Sequence, residues 1–220
     1  MPKLGMEPIR RAEAINATLE CIYENGTDGI TLDMVAEKAG FSKGIVAYYF
    51  KSKRNLVLES LRQFLKAYSL KISTSVKEDM PPLDIVKTIV EVSLPALTSK
   101  DDKTINVSTL EGAEQIRLPQ ERIAKIFIQF ISMSSMDDEL RDIMRQTYAN
   151  DVEGISLLVR NAKKASSVNE LNENNAAYAI LAMIYGLSFF RTSQFMPFGE
   201  TDNRNIAFEF FDRLFGAPKT

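Results

Sequence analysis

Six hydrogen-bonding side chains, Thr31, Ser42, Lys43, Tyr48, Tyr49 and Lys53, fall within 23 residues, interleaved with the small residues Gly44 and Ala47. Hydroxyl, phenol and ammonium groups are the ones that reach phosphate oxygens and base edges. Small residues between them let a helix backbone come close to a groove wall. A phenol is rigid, carries a donor at its tip and loses little entropy when it is placed. These eight positions are therefore the candidate contacts to double-stranded DNA. Lys53 and Thr31 stand where helices begin, so the free N–H groups there can meet a phosphate together with the side chain.

Such contacts need elements to aim them. In "AEKAGFSKGIVAYYFKSK", Ala36 to Lys53, the spacing Ala36, Gly40, Val46 is a steric requirement of two helices joined by a tight turn. Ala36 permits close approach, Gly40 takes a positive φ, and Val46 points back toward Val35 and Ile45. Thr31 caps the helix that ends at Gly40, and Ser42 caps the short one that follows. Its outer face is then left with Ser42, Lys43, Gly44, Ala47 and Tyr48, while Phe50 turns to the core. A preceding helix over about 7–25 stops at Gly26, and Ser52 caps a fourth. The alternative packing puts Tyr48 and Tyr49 under that fourth helix and leaves the lysines merely solvated.

The remainder of the chain reads as helix almost throughout, so the expected fold class is all-α. Helices are predicted over about 83–97, 119–133, 137–165, 173–195 and 201–214, with 99–118 irregular or holding one short helix. Pro81-Pro82 breaks the chain after the fourth helix. The run Ala176–Phe190 carries no charge and is too short to span a bilayer, for which about 20 apolar residues are needed. We read it as buried, in a subunit interface of a homodimer or as the central helix of a monomer.

Composition narrows the chemistry. The chain has no His, so imidazole-dependent triads and His-based zinc sites are excluded. No Gly-rich nucleotide cradle is present either. No catalytic residue, cofactor or metal is expected. Asp101-Asp102 and Asp137–Glu139 lack the His or Cys partners a transition metal would favour. The single cysteine, Cys21, fits a small core residue. Glu111 and Glu114 fit a solvated helix face or a contact to a cationic ligand. The net charge of −2 hides an excess of 11 basic over 8 acidic residues within 1–75, where a polyanion would bind. The first 16 residues have no apolar stretch of a signal peptide, and a cytoplasmic location is expected, with no membrane association.

With those residues in place, "TLDMVAEKAGFSKGIVAYYFKSKRNL" resembles the DNA-binding motif of the tetracycline-repressor (TetR) family, specifically over about 9–61. The family often has an aromatic where this chain has Ala47. The resemblance implies a helix-turn-helix domain over 1–52 and an effector-binding and dimerisation domain over 53–220, led by a long connecting helix at about 53–78. It further implies a homodimeric regulator, most often a repressor, that leaves a pseudo-palindromic operator when a small-molecule effector binds. "MPKLGMEPIRR", "GFSKGIVAYYF" and "LAMIYGLSFFR" also look like the choline-responsive branch of that family. A quaternary ammonium favours an aromatic cage, best walled by Trp, and the chain has none. Phe127, Phe130, Tyr148, Tyr185 and Phe189 are the available rings for an effector pocket. The rival reading is a helical ligand-binding protein or small enzyme without DNA binding.

Overall fold

The order of elements follows the hydrophobic periodicity closely. In a computed structural model of the chain, residues 6–94, 104–107, 116–165, 171–195 and 203–215 are described. The helices are α1 (Met6–Gly29), α2 (Leu32–Ala39), α3 (Lys43–Phe50), α4 (Lys53–Ser75), α5 (Pro82–Ser93), α6 (Gln120–Ser134), α7 (Asp138–Ala165), α8 (Glu173–Thr192) and α9 (Asn203–Phe215). The all-α class is as expected, with one addition. Thr104–Val107 (β1) and Ile116–Pro119 (β2) pair antiparallel, Thr104 opposite Pro119 and Val107 opposite Ile116, in a segment read as irregular or helical. Four-residue strands give too short an alternation to stand out from an irregular stretch. Asp101, Asp102, Glu111 and Glu114 lie outside the described residues.

Contacts divide the chain into two compact units, 1–71 with 103–144, and 72–102 with 145–220. Two of the three boundaries fall inside helices, after Lys71 in α4 and after Met144 in α7.

In the first unit, α1 packs on α2 and α6, and α2 on α3. Ala14, Ile15, Ile22, Val35, Val46 and Leu56 are all fully buried there. Two glycines shape the turns. Gly26 has φ 71° and ψ 171°, so regular helix stops there and only a last turn, Thr27–Gly29, follows. A Cβ at Gly26 would also stand 3.1 Å from Gln129 Oε1 on α6. Gly40 has φ 70° and ψ 30°, the left-handed geometry that closes α2. A second nucleus of rings gathers Phe64, Phe127 and Phe130, with centroids 5.7–6.1 Å from Phe64, and Tyr68 stacked on Phe64.

In the second unit, α5 packs on α9 and α8 around Val86, Val90, Ile180, Ile184, Ala207 and Phe211. The uncharged run on α8 splits by face. Ala176, Ala177, Ile180, Leu181, Ile184, Leu187 and Ser188 are buried in this unit's own core. Tyr178, Phe189 and Phe190 are open to solvent, 59%, 42% and 46% exposed.

Candidate functional site

The turn between α2 and α3 is built from backbone hydrogen bonds. The N–H of Gly40 donates to Glu37 O at 3.1 Å, and that of Phe41 to Ala36 O at 2.8 Å. Ala36 and Val46, both buried, fill the angle between the helices. Thr31 caps α2, its Oγ1 accepting from the Met34 N–H at 3.2 Å. Ser42 stands at the N-cap position of α3, but its hydroxyl makes no cap bond. Its backbone carbonyl accepts from Ile45 and Val46 instead, which leaves the exposed hydroxyl facing out. Ser52 Oγ does cap α4, accepting from the Asn55 N–H at 3.1 Å.

The outer face of α3 is bare. Ser42, Lys43 and Gly44 are exposed, Ala47 is half-buried and Tyr48 is 69% exposed. Lys43 Nζ meets Asp33 Oδ2 at 2.7 Å, with both side chains more than half exposed. An exposed pair of this kind is worth 1 kcal/mol at most, roughly, so the ammonium is available to a phosphate or base. Lys53 Nζ donates to the Asp28 carbonyl at 2.8 Å, beside the start of α4.

Tyr49 departs from the expected phosphate contact. It is 8% exposed, and its hydroxyl is buried with no hydrogen-bond partner among the described residues. Its ring meets that of Tyr48 edge-on, centroids 5.3 Å apart, so Tyr49 braces the exposed phenol rather than reaching out itself. Adjacent helix positions face directions about 100° apart, so the core side of α3 can take Tyr49 while Tyr48 stays out. From α1, Arg11 Nη1 donates to the Tyr49 carbonyl at 3.2 Å, and its guanidinium covers Phe50 at 4.9 Å. Sequence reasoning passed over Lys51, which is exposed at φ 64° just after α3. The pair of lysines in "FKSK" was the available signal.

The five aromatic candidates for an effector pocket fall into three settings. Phe127 and Phe130 are 7% and 0% exposed and pack with Phe64 as core of the first unit. Phe189 lies on the surface of α8, edge-on to Phe195 at 5.6 Å. Tyr148 and Tyr185 do come together, from α7 and α8 of the second unit, with ring centroids 5.2 Å apart and planes at 37°. Beside them lies Asp151, one turn on from Tyr148 along α7 and close enough to act on its phenol. Asp151 has no ion pair or hydrogen bond among the described residues. Burial pushes its carboxyl up to about 6. Burial likewise pushes the Tyr148 phenol up to about 12, against a hydrogen bond from Tyr185, and the Asp151 charge adds to the rise. A partly buried carboxylate near a tyrosine ring is the kind of group that attracts a cation. A lone acid among the apolar positions of α7 was the available hint.

Comparison with known proteins agrees with this geometry. Residues 14–60 match the family described as "Bacterial regulatory proteins, tetR family". The BetI transcriptional regulator of Pseudomonas paraeruginosa is 28% identical over 219 aligned residues, covering 97% of this chain and 96% of that one. BetI of Brucella suis is 32% identical over 96 residues, 44% of this chain and 48% of its own length. Among solved structures, a TetR-family protein from Rhodococcus sp. superposes with a TM-score of 0.70 at 18% identity, covering 94% of this chain and 98% of its own. A regulator from Saccharomonospora viridis, crystallised with choline, reaches 0.71 at 16% identity, covering 94% and 95%. No helix among the described residues is long and apolar enough to cross a membrane. The chain is similar to BetI regulators along its length, shares its fold with TetR-family structures, and over residues 14–60 matches the tetR family of bacterial regulatory proteins, the stretch that holds the turn between α2 and α3.

Proposed function

We propose that the protein is a homodimeric repressor that leaves its operator when a small organic cation binds. The observation that carries the reading is the outer face of α3, where a lysine, a hydroxyl, a phenol and two small residues share one solvent-facing side. Ser42, Lys43, Gly44, Ala47 and Tyr48 meet the major groove, with Thr31 and Lys53 on flanking phosphates. Tyr49 acts by holding Tyr48. On this reading residues 1–52 are the DNA-binding domain, and 53–220 bind the effector and the partner subunit. Two copies must set their α3 helices roughly 34–36 Å apart, one turn of duplex, on a pseudo-palindromic site.

The uncharged outer stripe of α8, Tyr178, Phe189 and Phe190, supports a two-fold interface, because a patch of that kind on a soluble chain is ordinarily covered. Asp151 with Tyr148 and Tyr185 supports a cationic effector, and the choline held by the Saccharomonospora viridis neighbour has that chemistry. The effector shifts population between two states that differ in affinity for DNA. A cytoplasmic location goes with binding to chromosomal DNA.

The test is fluorescence anisotropy of the duplex upstream of the protein's own coding sequence, with and without choline chloride, alongside sedimentation. The expected result is a species of twice the 24.8 kDa chain mass that binds the duplex and is released by choline. A monomer with no affinity for the duplex would overturn the reading.

A further inference from the structure

The first turns of α4 follow α3 after only Lys51 and Ser52, and they are joined to the start of α7 by long side chains. Arg54 Nε donates to Asp137 Oδ2 at 2.9 Å and Nη2 to Asp137 Oδ1 at 3.1 Å, a two-pronged pair. Its third nitrogen, Nη1, reaches Glu139 Oε2 at 3.0 Å. Arg62, two turns further along α4, donates to Glu139 Oε1, also at 3.0 Å. The same Asp137 oxygen caps α7, accepting from the N–H groups of Glu139 at 3.0 Å and Leu140 at 3.1 Å. The Arg54 hydrogen bond, aided by those backbone donors, holds the Asp137 carboxyl below its usual range.

The joint is not a packed one. A polar cavity of about 330 Å³ runs beside it, lined by Arg11, Tyr49, Lys51, Glu59, Arg62 and Glu139. Charged forks across a wet gap can exchange partners at little cost, whereas interdigitated apolar side chains cannot slide without opening voids. One carboxylate therefore serves two ends, as cap of α7 and as anchor of α4. In sequence, α7 runs on from this joint through Tyr148 and Asp151 to Ala165.

We propose that Arg54, Arg62, Asp137 and Glu139 form an ionic latch that couples the start of α4 to the start of α7, so that displacement of α7 is passed to the recognition helix. The latch itself stands on these contacts; only the origin of the signal at Asp151 rests on the effector reading above.

The latch is tested by hydrogen–deuterium exchange on the full-length protein. In Arg54→Ala the amides of residues 56–59 and of 140–143 should both exchange at least threefold faster. Arg141→Ala provides the control. Among the described residues its guanidinium binds only Asp138 and the carbonyls of Ser134 and Ser135, so it should speed 140–143 alone. Arg62→Glu and Glu139→Arg should each reproduce part of the effect, and the double charge reversal should recover at least half of the lost protection. Arg54→Ala that speeds only one helix, or a reversal no better than its singles, overturns the latch.

A second arm reads its use. Arg54→Ala should bind choline chloride within twofold of the wild type, while the fold-change that choline produces in operator affinity drops at least fivefold. Unchanged coupling in that variant also overturns the proposal. If choline fails to bind the wild type, the effector reading falls and the exchange arm decides the latch alone.

Discussion

The α3 face and the Asp151 site are opposites in construction. The first is a surface whose members are neighbours in sequence, left bare because the turn at Gly40 and the buried Val46 fix which side of an eight-residue helix points out. The second is a partly buried cluster drawn from α7 and α8, and the shift of its carboxyl comes from burial rather than from residue type. A surface built for DNA works by offering charge to water until a polyanion replaces it. On the proposed reading, the partly buried site limits the water around a charge until a cation of the right shape arrives. Changes at the first should be felt in DNA binding alone, and changes at the second in ligand response and in stability.

The largest separation should come from the double variant Lys43→Ala, Tyr48→Ala. Loss of two groove contacts should lower operator affinity by about 30-fold or more, at roughly 1–3 kcal/mol each, and blur sequence preference. Choline affinity, read by calorimetry, should stay within twofold. An equal loss in both would erase the distinction between the regions.

Next is Asp151→Asn. At pH 8 it should weaken choline binding at least tenfold, by an order-of-magnitude estimate for an ion pair in a partly buried site, and leave operator affinity without choline unchanged. In the wild type, choline affinity should fall about tenfold per pH unit below about 6, because only the carboxylate attracts the cation. The variant should show no such fall. Stability has the opposite sign. A folded-state value raised above the ordinary 3.8 means the folded chain holds the proton more tightly, so this contribution is complete below 3.8 and is lost as pH rises through about 6. Asp151→Asn should therefore stabilise the free protein at pH 8 by about 1–3 kcal/mol in urea unfolding.

Smaller effects sharpen the surface side. Lys53→Ala should weaken binding to all duplexes alike and reduce the slope of log affinity against log salt by about 1. Lys51→Ala should do the same if its ammonium also meets a phosphate. Tyr49→Ala should act indirectly. It removes the ring that braces Tyr48, costing about 2–5 kcal/mol of stability by the scale of large core truncations, with a loss of affinity that follows Tyr48. Smallest of all, Asp33→Ala frees Lys43 from an exposed pair and should change stability by less than about 0.5 kcal/mol, with operator affinity equal or slightly higher.

How far each region could be read from sequence follows from the same contrast. Helix starts and stops rest on local rules, so Thr31, Gly40 and Ser52 sit where their residue types put them. The face of α3 was legible because 3.6-residue periodicity and one buried valine decide it. Ser42 shows the limit, since position at a helix start does not oblige a hydroxyl to cap when the backbone carbonyl carries the bonds. Tyr49 shows another, because residue type does not tell two adjacent tyrosines apart and only packing says which one turns in. The partly buried site was half legible. Tyr148 and Tyr185 were named with three other rings, but Phe127 and Phe130 belong to the Phe64 nucleus and Phe189 to the surface. Asp151 went unremarked because one acid on a mostly polar helix looks ordinary until its neighbours exclude water. The β1–β2 pair was missed because four residues are too few to show an alternation.

The central claim is that the outer side of α3 is what meets DNA. Hydrogen–deuterium exchange of the protein with and without the upstream duplex tests it most directly. The account predicts slowed exchange in residues 31–34 and 42–53, with none on α9. Saturating duplex that protects other segments while leaving 42–53 unchanged would contradict it.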